Sequence, residues 1–490
     1  MHRMSRPRRV GRSAAAFLAL SCLVALGGPS GCERKAPRPD ILLVTIDTLR
    51  ADHCSAYGYP VRTTPEMEAL AAEGLLFQTA YAESATTGPS HAVLLTGRHF
   101  RTSGVFKNGE PMPEESVTIP ETLAANGYAT AGFVSSFPLR ARFGFAQGFE
   151  IFDDEFTPSE ASLGRRKEGE QAHDRLAEAT VSHVEKWLDQ RQDQRPLFLW
   201  VHLVDPHYPY RSPEKFQGSW PVDTDPLARR YDAEVRYSDK QFGRLRDLFR
   251  TKTPGHEDLV LLTSDHGEGL GDHGWMSHGI NLYEEAVRVP LVASWPGRLP
   301  EGEVVTEPVA ILDVKAGILD LLRIEPTVPL HGPSLFGSLD ADRAVFLQRR
   351  NYKTNEVRGV VVGGEMTAVV HRGEKFISAP DENRRELYDL PSDPHELADL
   401  LLPPDQAAAA RPGRGRTVAE KAIAAKTPPA ADAETRPAAP RPPRERSEAT
   451  AHSLDGDLAR WREANPLPER GETPIDKEAL KALRSLGYVE

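Results

Sequence analysis

At 490 residues the chain exceeds the ~250–300 at which one hydrophobic core stops growing, so a large domain with a smaller addition is expected. Hydrophobic residues at 39% and charged residues at 27% are the balance of a soluble globular protein. A net charge of −11 excludes bulk electrostatic attraction of nucleic acid, and three cysteines exclude an internal disulfide framework.

The first element is a leader. Arg3, Arg6, Arg8, Arg9 and Arg12 precede an apolar run from Ala14 to Leu26, followed by Gly27-Gly28-Pro29-Ser30-Gly31-Cys32. Basic stretch, apolar stretch and small-residue cleavage site read as a signal peptide over residues 1–31, too short in its apolar part for the ~20 residues a spanning helix needs. The expected location is therefore exported, in a bacterial periplasm or cell envelope. Cleavage before Cys32 leaves a cysteine that can be acylated and attach the protein to a membrane. Simple secretion stays open, because Pro29 stands where lipoprotein signals carry an apolar residue.

Short apolar runs then alternate with amphipathic stretches, the pattern of an α/β domain with a mainly parallel sheet covered on both faces. Buried strands are expected over Ile41–Ile46, Ala129–Val134, Leu197–Val204, Leu259–Thr263 and Val289–Trp295. Helices are expected over Pro65–Glu73, Pro120–Asn126, Gln171–Gln190, Asp225–Arg250 and Ile311–Leu322. From Ala344 to Leu390 short strands and turn signals read as a smaller β-rich lobe. The resulting divisions are a catalytic domain over 39–325, a C-terminal lobe over 326–402, a disordered Pro- and Ala-rich linker over 403–450 and a helical tail over 451–490, whose helices, Leu454–Ala464 and Asp476–Gly487, can dock back on the core.

Three of the strands run into groups that can bind metal or act on an ester, and open α/β sheets place their sites at the C-terminal strand ends. Ile41–Ile46 is followed by Asp47, Leu197–Val204 by Asp205 and His207, and Leu259–Thr263 by Asp265-His266-Gly267-Glu268. A fourth segment, Thr86 to Arg98, carries Pro89 near the start of an apolar helix. Thr87 there reads either as an N-cap or as a hydroxyl poised at a helix N-terminus, where exposed N–H groups and the helix dipole favour an anion. His202, inside an apolar strand, reads as a satisfied core histidine. His273 reads as a loop residue, and Arg50 as a group that orients Asp47 or as a solvated charge. Asn108, in Lys107-Asn108-Gly109, reads equally as a plain turn residue.

The segment from Thr87 to Arg98 resembles the sulfatase signature, in which Cys or Ser, a Pro two residues on and an Arg precede Ala-x-Leu-Leu-Thr-Gly-Arg. Ile46-Asp47-Thr48-Leu49-Arg50-Ala51-Asp52, Thr263-Ser264-Asp265-His266-Gly267-Glu268, Leu282-Tyr283-Glu284-Glu285 and Glu386-Leu387-Tyr388-Asp389-Leu390 resemble further family blocks in the right order. The resemblance covers about Pro39 to Leu402. It implies the alkaline-phosphatase-like α/β sandwich and a hydrolase acting on sulfuric or phosphoric esters of small molecules, lipids or glycans. It also implies one divalent ion, Mn²⁺, Ca²⁺ or Zn²⁺, held by Asp47, Thr87, Asp265 and His266. Thr87 matches the nucleophile, His207 and His278 the positions that hold substrate oxygens or protonate the leaving group, and Asn108 and His91 are the candidate substrate contacts. Thr87 cannot become the formylglycine of true sulfatases, His91 replaces the Arg of the maturation signal, and Thr48 replaces a metal-binding Asp. These departures favour phosphoesters over sulfate esters. A phosphoglycerol-type transferase and a non-catalytic envelope lipoprotein are the alternatives.

Overall fold

Asp40–Ile46 is apolar at every position but Asp40 and Thr45 and is buried on both faces, as a central strand of a covered sheet must be. In the computed structural model, which describes residues 38–161, 172–217, 225–253, 257–357, 360–403, 444–468 and 475–485, this strand pairs in parallel with Leu197–Leu203 on one side and Asp258–Ser264 on the other. Ala129–Phe133 and Ile151–Asp153 extend the sheet in parallel beyond Leu197–Leu203. Beyond Asp258–Ser264, Leu291–Ser294 is antiparallel, and Leu75–Phe77 and Glu303–Val305 complete eight strands. The expected strand Val289–Trp295 divides at Pro290, which has no N–H to offer a ladder. Arg288–Val289 joins a separate three-stranded sheet while Leu291–Ser294 stays in the large one.

Alternation along the strands builds two cores. Leu42, Val44 and Ile46 face one way with Leu199, Val201, Leu203, Val260 and Leu262, under the helices Ala177–Gln190 and Pro226–Lys252. Ile41, Leu43, Phe198, Trp200, Leu259 and Leu261 face the other way, against Val93, Leu94 and Leu95 of the helix Thr87–Thr96. All ten residues of that helix are buried, and Gly97 stops it in the left-handed region (φ 66°) that Gly adopts without a Cβ clash. The expected helix from Gln171 begins at Ala177 instead, where the Ala177 N–H is capped by Asp205 Oδ2 at 2.9 Å.

The C-terminal lobe is a four-stranded antiparallel sheet over Val345–Val357, Val360–His371, Glu374–Ala379 and Arg384–Asp389. The helix Arg444–Ala464 packs on it through Ala451, Leu454 and Leu458, with Trp461 stacked 5.0 Å from Phe346. This helix starts seven residues inside the expected linker, whose earlier part lies outside the described residues, as do the signal peptide and Cys32. No helix among the described residues is long and apolar enough to cross a membrane.

Both lobes belong to one compact unit, Pro37–Glu490, and buried ion pairs join them. Lys375 Nζ, fully buried in the small lobe, lies 2.9 Å from Glu284 and 3.0 Å from Glu396. His273 lies on this seam, stacked 3.7 Å from Tyr283, with Nδ1 3.0 Å from Glu285 and Nε2 3.0 Å from the Glu396 carbonyl. Burial opposes its protonation, but Glu285 and then Glu396 outweigh it, and its pKa rises to about 9. Because the folded value exceeds the unfolded value of about 6.5, the interaction stabilises fully below that pH and is lost as pH rises through about 9. Melting temperatures from pH 6.5 to 9.5 should fall more steeply for the wild type than for His273→Gln, and parallel curves would contradict this assignment.

Candidate active site

The sheet register brings the acidic groups together. Ile46 is level with Ser264 and with Leu203, so the residues that follow, Asp47 and Asp265, leave adjacent parallel strands at one height and on one face. Ser264 staples the two ends, its hydroxyl accepting from the Leu49 N–H at 2.9 Å and lying 2.6 Å from the Ile46 carbonyl. Thr48 adopts φ 57°, uncommon for a β-branched residue, and aims its N–H at Asp265 Oδ1 at 3.2 Å. The His266 N–H donates to the same oxygen at 2.9 Å. Asp265 Oδ2 accepts no hydrogen bond and faces the cluster.

The Thr87 helix supplies the hydroxyl. Thr86, in extended conformation, is the N-cap residue, and Thr87 is the first helical position rather than the cap. Ser90 Oγ donates to the Asp265 carbonyl at 2.6 Å and docks the first turn on the strand end. Thr87 Oγ1 then lies 3.3 Å from His266 Nε2. That nitrogen is 3.4 Å from Asp265 Oδ2 and 3.9 Å from Asp47 Oδ1. His266 Nδ1 donates to the Gly267 carbonyl at 2.9 Å, which leaves Nε2 with its lone pair toward Thr87 and the carboxylates. Burial holds the His266 pKa down to about 4 and pushes the Asp265 carboxyl upward.

Asp47, Asp265 and His266 offer three ligand atoms within 4.8 Å of one another, all fully buried. Two buried carboxylates beside imidazole lone pairs repel one another unless a cation or proton lies among them, so the donor set fits a divalent ion.

The neighbouring groups divide into those that face this cluster and those that support it. His207 and His278 meet Nε2 to Nε2 at 3.2 Å, and the His278 ring lies 4.4 Å from that of His266. Each presents its Nδ1 to a carbonyl, Tyr208 at 2.9 Å and Ala85 at 3.3 Å, which turns the two Nε2 lone pairs on each other, so that a proton taken up by the pair lies between them. Burial, then the His266 charge, keeps the His278 pKa well below the usual imidazole value. Asn108 is no mere turn residue: it is buried, Oδ1 accepts from the Gly88 N–H at 2.7 Å, and Nδ2 has no hydrogen-bond partner. Its amide donor is therefore available one residue from Thr87.

His91 requires a correction. The structure places it beneath Thr87 and wholly buried, with Nδ1 donating to the Thr87 carbonyl at 2.8 Å and Nε2 3.1 Å from Thr45 Oγ1. With both nitrogens committed to protein groups it supports the first helical turn and offers nothing to a substrate. Arg50 is neither a surface charge nor a partner of Asp47. It is buried, pairs with Asp52 and Asp272 at 2.6 Å each, and donates to the Glu268 carbonyl at 3.1 Å. Asp205 caps a helix instead of facing the cluster. His202, expected to be a satisfied core residue, has Nε2 without a hydrogen-bond partner, 3.6 Å from Asp47 Oδ2. The signal for it was parity: Thr45 is level with His202, so His202 shares the face of Asp47.

Beside the cluster a cavity of about 1060 Å³ lies between the two lobes, lined among others by Phe106, Lys107, Arg142, Arg350, Tyr352 and Lys353. Tyr352 donates to the Gly279 carbonyl at 3.0 Å, next to His278, and Lys107 adjoins Asn108, so the cavity borders the site.

An α/β sandwich with a hydroxyl, carboxylates and imidazoles at its strand ends defines an ester hydrolase of the alkaline-phosphatase-like class. A sulfatase family model matches residues 39–324, and a model of the C-terminal part of N-sulphoglucosamine sulphohydrolase matches residues 271–411. The chain belongs to the sulfatase family. Human arylsulfatase A is 31% identical over 379 residues, covering 66% of this chain and 72% of that protein. An arylsulfatase of Clostridium perfringens is 25% identical and covers 74% of this chain and 90% of that protein. Among solved structures, the phosphonate monoester hydrolase of Agrobacterium radiobacter shares the fold with a TM-score of 0.63 at 19% identity, covering 87% of this chain and 96% of that one. A protein solved with its substrate D-glucosamine-2-N,6-O-disulfate gives 0.65 at 18%, covering 88% of this chain and all of that one.

If the cluster holds a cation, metal-stripped protein should melt lower than protein supplied with Zn²⁺ or Mn²⁺. At a hundredfold excess over Kd the gain is about 2.7 kcal/mol. Asp265→Asn should remove the difference, and a wild type whose melting ignores every divalent ion would contradict the donor-set reading.

Proposed function

We propose that the protein is an exported, metal-dependent hydrolase that uses Thr87 as nucleophile and prefers phosphate-type to sulfate esters. The observation that carries this reading is the position of Thr87 Oγ1, at a helix N-terminus and 3.3 Å from His266 Nε2 in the carboxylate and imidazole cluster. Asp47, Thr87, Asp265 and His266 would hold the ion, which when bound would lower the pKa of the hydroxyl and offset negative charge on the ester. Thr87 Oγ1, its proton released to solvent, attacks phosphorus, and the bond to the leaving oxygen breaks. The proton held between His207 and His278 passes to that oxygen, and the emptied pair then takes a proton from the water that attacks in line. That second attack breaks the bond to Thr87 and restores the site. Asn108 Nδ2 donates to a non-bridging oxygen, since the Gly88 N–H is held by Asn108 Oδ1, Pro89 has none and the Ser90 N–H is held by the Thr86 carbonyl.

The chemistry of threonine favours phosphorus. Formylglycine releases sulfate through its second hydroxyl, whereas a threonine ester must be cleared by attack at its central atom, a path that phosphate follows readily. The bordering cavity, with the Arg350 guanidinium 4.1 Å over the Tyr352 ring, suits the remainder of a glycan or lipid headgroup ester. The leader supports a location in the bacterial periplasm or cell envelope, with Cys32 available for acylation if cleavage precedes it.

A panel of nitrophenyl phosphates, phosphodiesters, phosphonates and sulfates with added Mn²⁺, Zn²⁺ or Ca²⁺ tests the assignment. Turnover should be highest on a phosphorus ester, and Thr87→Ala should lower kcat/KM by about 10³-fold or more. Unchanged turnover in Thr87→Ala would remove Thr87 from its role, and a sulfate preference would reverse the substrate order. Leaving-group dependence isolates the histidine pair. His207→Gln and His278→Gln should each cost about 10²–10⁴-fold on an alkyl ester, where the leaving oxygen needs a proton, and far less on a nitrophenyl ester. Equal losses on both would contradict proton donation.

A further inference from the structure

His202 stands on the same sheet face as Asp47 and Asp265, and its hydrogen bonds define its tautomer. Ser135 Oγ donates its only proton to the His202 carbonyl at 2.5 Å. Its oxygen is then left to accept from the ring nitrogen Nδ1, 3.2 Å away. Nδ1 therefore carries the hydrogen, and Nε2 carries a lone pair. That nitrogen is fully buried, makes no hydrogen bond and faces Asp47 Oδ2 at 3.6 Å. The separation is too long for a hydrogen bond. A lone pair turned on a buried carboxylate is repulsive, and a cation between the two reverses the sign.

Two further observations locate that cation. His91, His202 and Asp265 offer ligand atoms within 4.8 Å of one another, and Asp265 belongs equally to the Asp47, Asp265 and His266 group. His91 Nδ1 is taken by the Thr87 carbonyl, so of the two extra histidines only His202 has its free nitrogen turned inward. Asp265 Oδ2, 3.4 Å from His266 Nε2 and 3.7 Å from His91 Nδ1, accepts no hydrogen bond. Donors about one ion with bonds of roughly 2.0–2.2 Å lie about 3–4 Å apart, which covers the 3.6 Å between His202 Nε2 and Asp47 Oδ2.

We propose that His202 Nε2 is a further ligand of the divalent ion, so that two imidazoles, His202 and His266, and two carboxylates, Asp47 and Asp265, enclose it. The inference rests on the metal-dependent reading above and adds the class of ion. Two imidazole donors select a transition metal such as Zn²⁺ over Ca²⁺, which takes oxygen ligands. Ser135 is the positioning residue that presents the lone pair.

Metal binding to stripped protein, measured by titration calorimetry with Zn²⁺ and Ca²⁺ and by the visible spectrum of the Co²⁺ form, tests this directly. His202→Asn should weaken Zn²⁺ by about 100-fold or more, leave Ca²⁺ within a few-fold, and alter the Co²⁺ bands. Ser135→Ala should weaken Zn²⁺ about tenfold with His202 still present, and it serves as the readout if His202→Asn does not fold. Zn²⁺ affinity and Co²⁺ spectrum unchanged in both variants would overturn the assignment of His202 while leaving the metal site intact. A wild type that binds no divalent ion would overturn both readings together.

Discussion

Parallel pairing of Asp40–Ile46 between Leu197–Leu203 and Asp258–Ser264 is the constraint on which the site depends. Strands in register stand about 4.8 Å apart, and residues at one height point to the same face. Level pairing of Ile46 with Ser264 therefore forces Asp47 and Asp265 into one small volume, and level pairing of Thr45 with His202 adds an imidazole below them. A one-residue slip in either ladder would send half of this set into the opposite core. The apolar alternation on both faces resists such a slip, so the core that stabilises the sheet also positions its chemistry.

Concentrating carboxylates in a fully buried pocket costs stability, and much of the surrounding detail offsets that cost. Thr48 and His266 donate backbone N–H groups to one oxygen of Asp265, Ser264 ties the strand ends, and Ser90 docks the helix that carries Thr87. His91 holds the first helical turn from below. What these contacts leave open is a consistent set: Asp265 Oδ2, the Nε2 atoms of His266 and His202, and Thr87 Oγ1. Local structure thus separates groups that hold the frame from groups that are available for a ligand. The small lobe completes the arrangement by placing Tyr352 beside His278, and the tail brings Leu483 and Ile475 against Gly109, next to Asn108.

Much of this was legible in the amino-acid sequence because strand ends and motif blocks are local signals. The central strands lie within a residue of their expected limits, and the Thr87 helix starts where Pro89 and the apolar run place it. The departures share a physical reason, which is that they depend on what distant segments do. His202 looks like core when only its apolar neighbours are considered, and becomes a ligand candidate once parity with Thr45 is taken into account. Arg50 has acidic partners, one of them 222 residues away, which no local window contains. His91 occupies a signature position but turns inward, because Thr45 and the Thr87 carbonyl satisfy its ring. The helix Arg444–Ala464 begins among residues too polar to fold alone and is held by Val369, Phe376 and Leu387 of the small lobe.

The central claim is that Thr87, Asp47, Asp265 and His266 share one divalent cation. Anomalous diffraction from crystals grown with Zn²⁺ or Mn²⁺, recorded on either side of the metal absorption edge, tests it most directly. The account predicts one strong anomalous peak within about 2.0–2.3 Å of donor atoms from both aspartates, His266 Nε2 and Thr87 Oγ1. A peak elsewhere, or a threonine oxygen outside bonding distance of the ion, would contradict it.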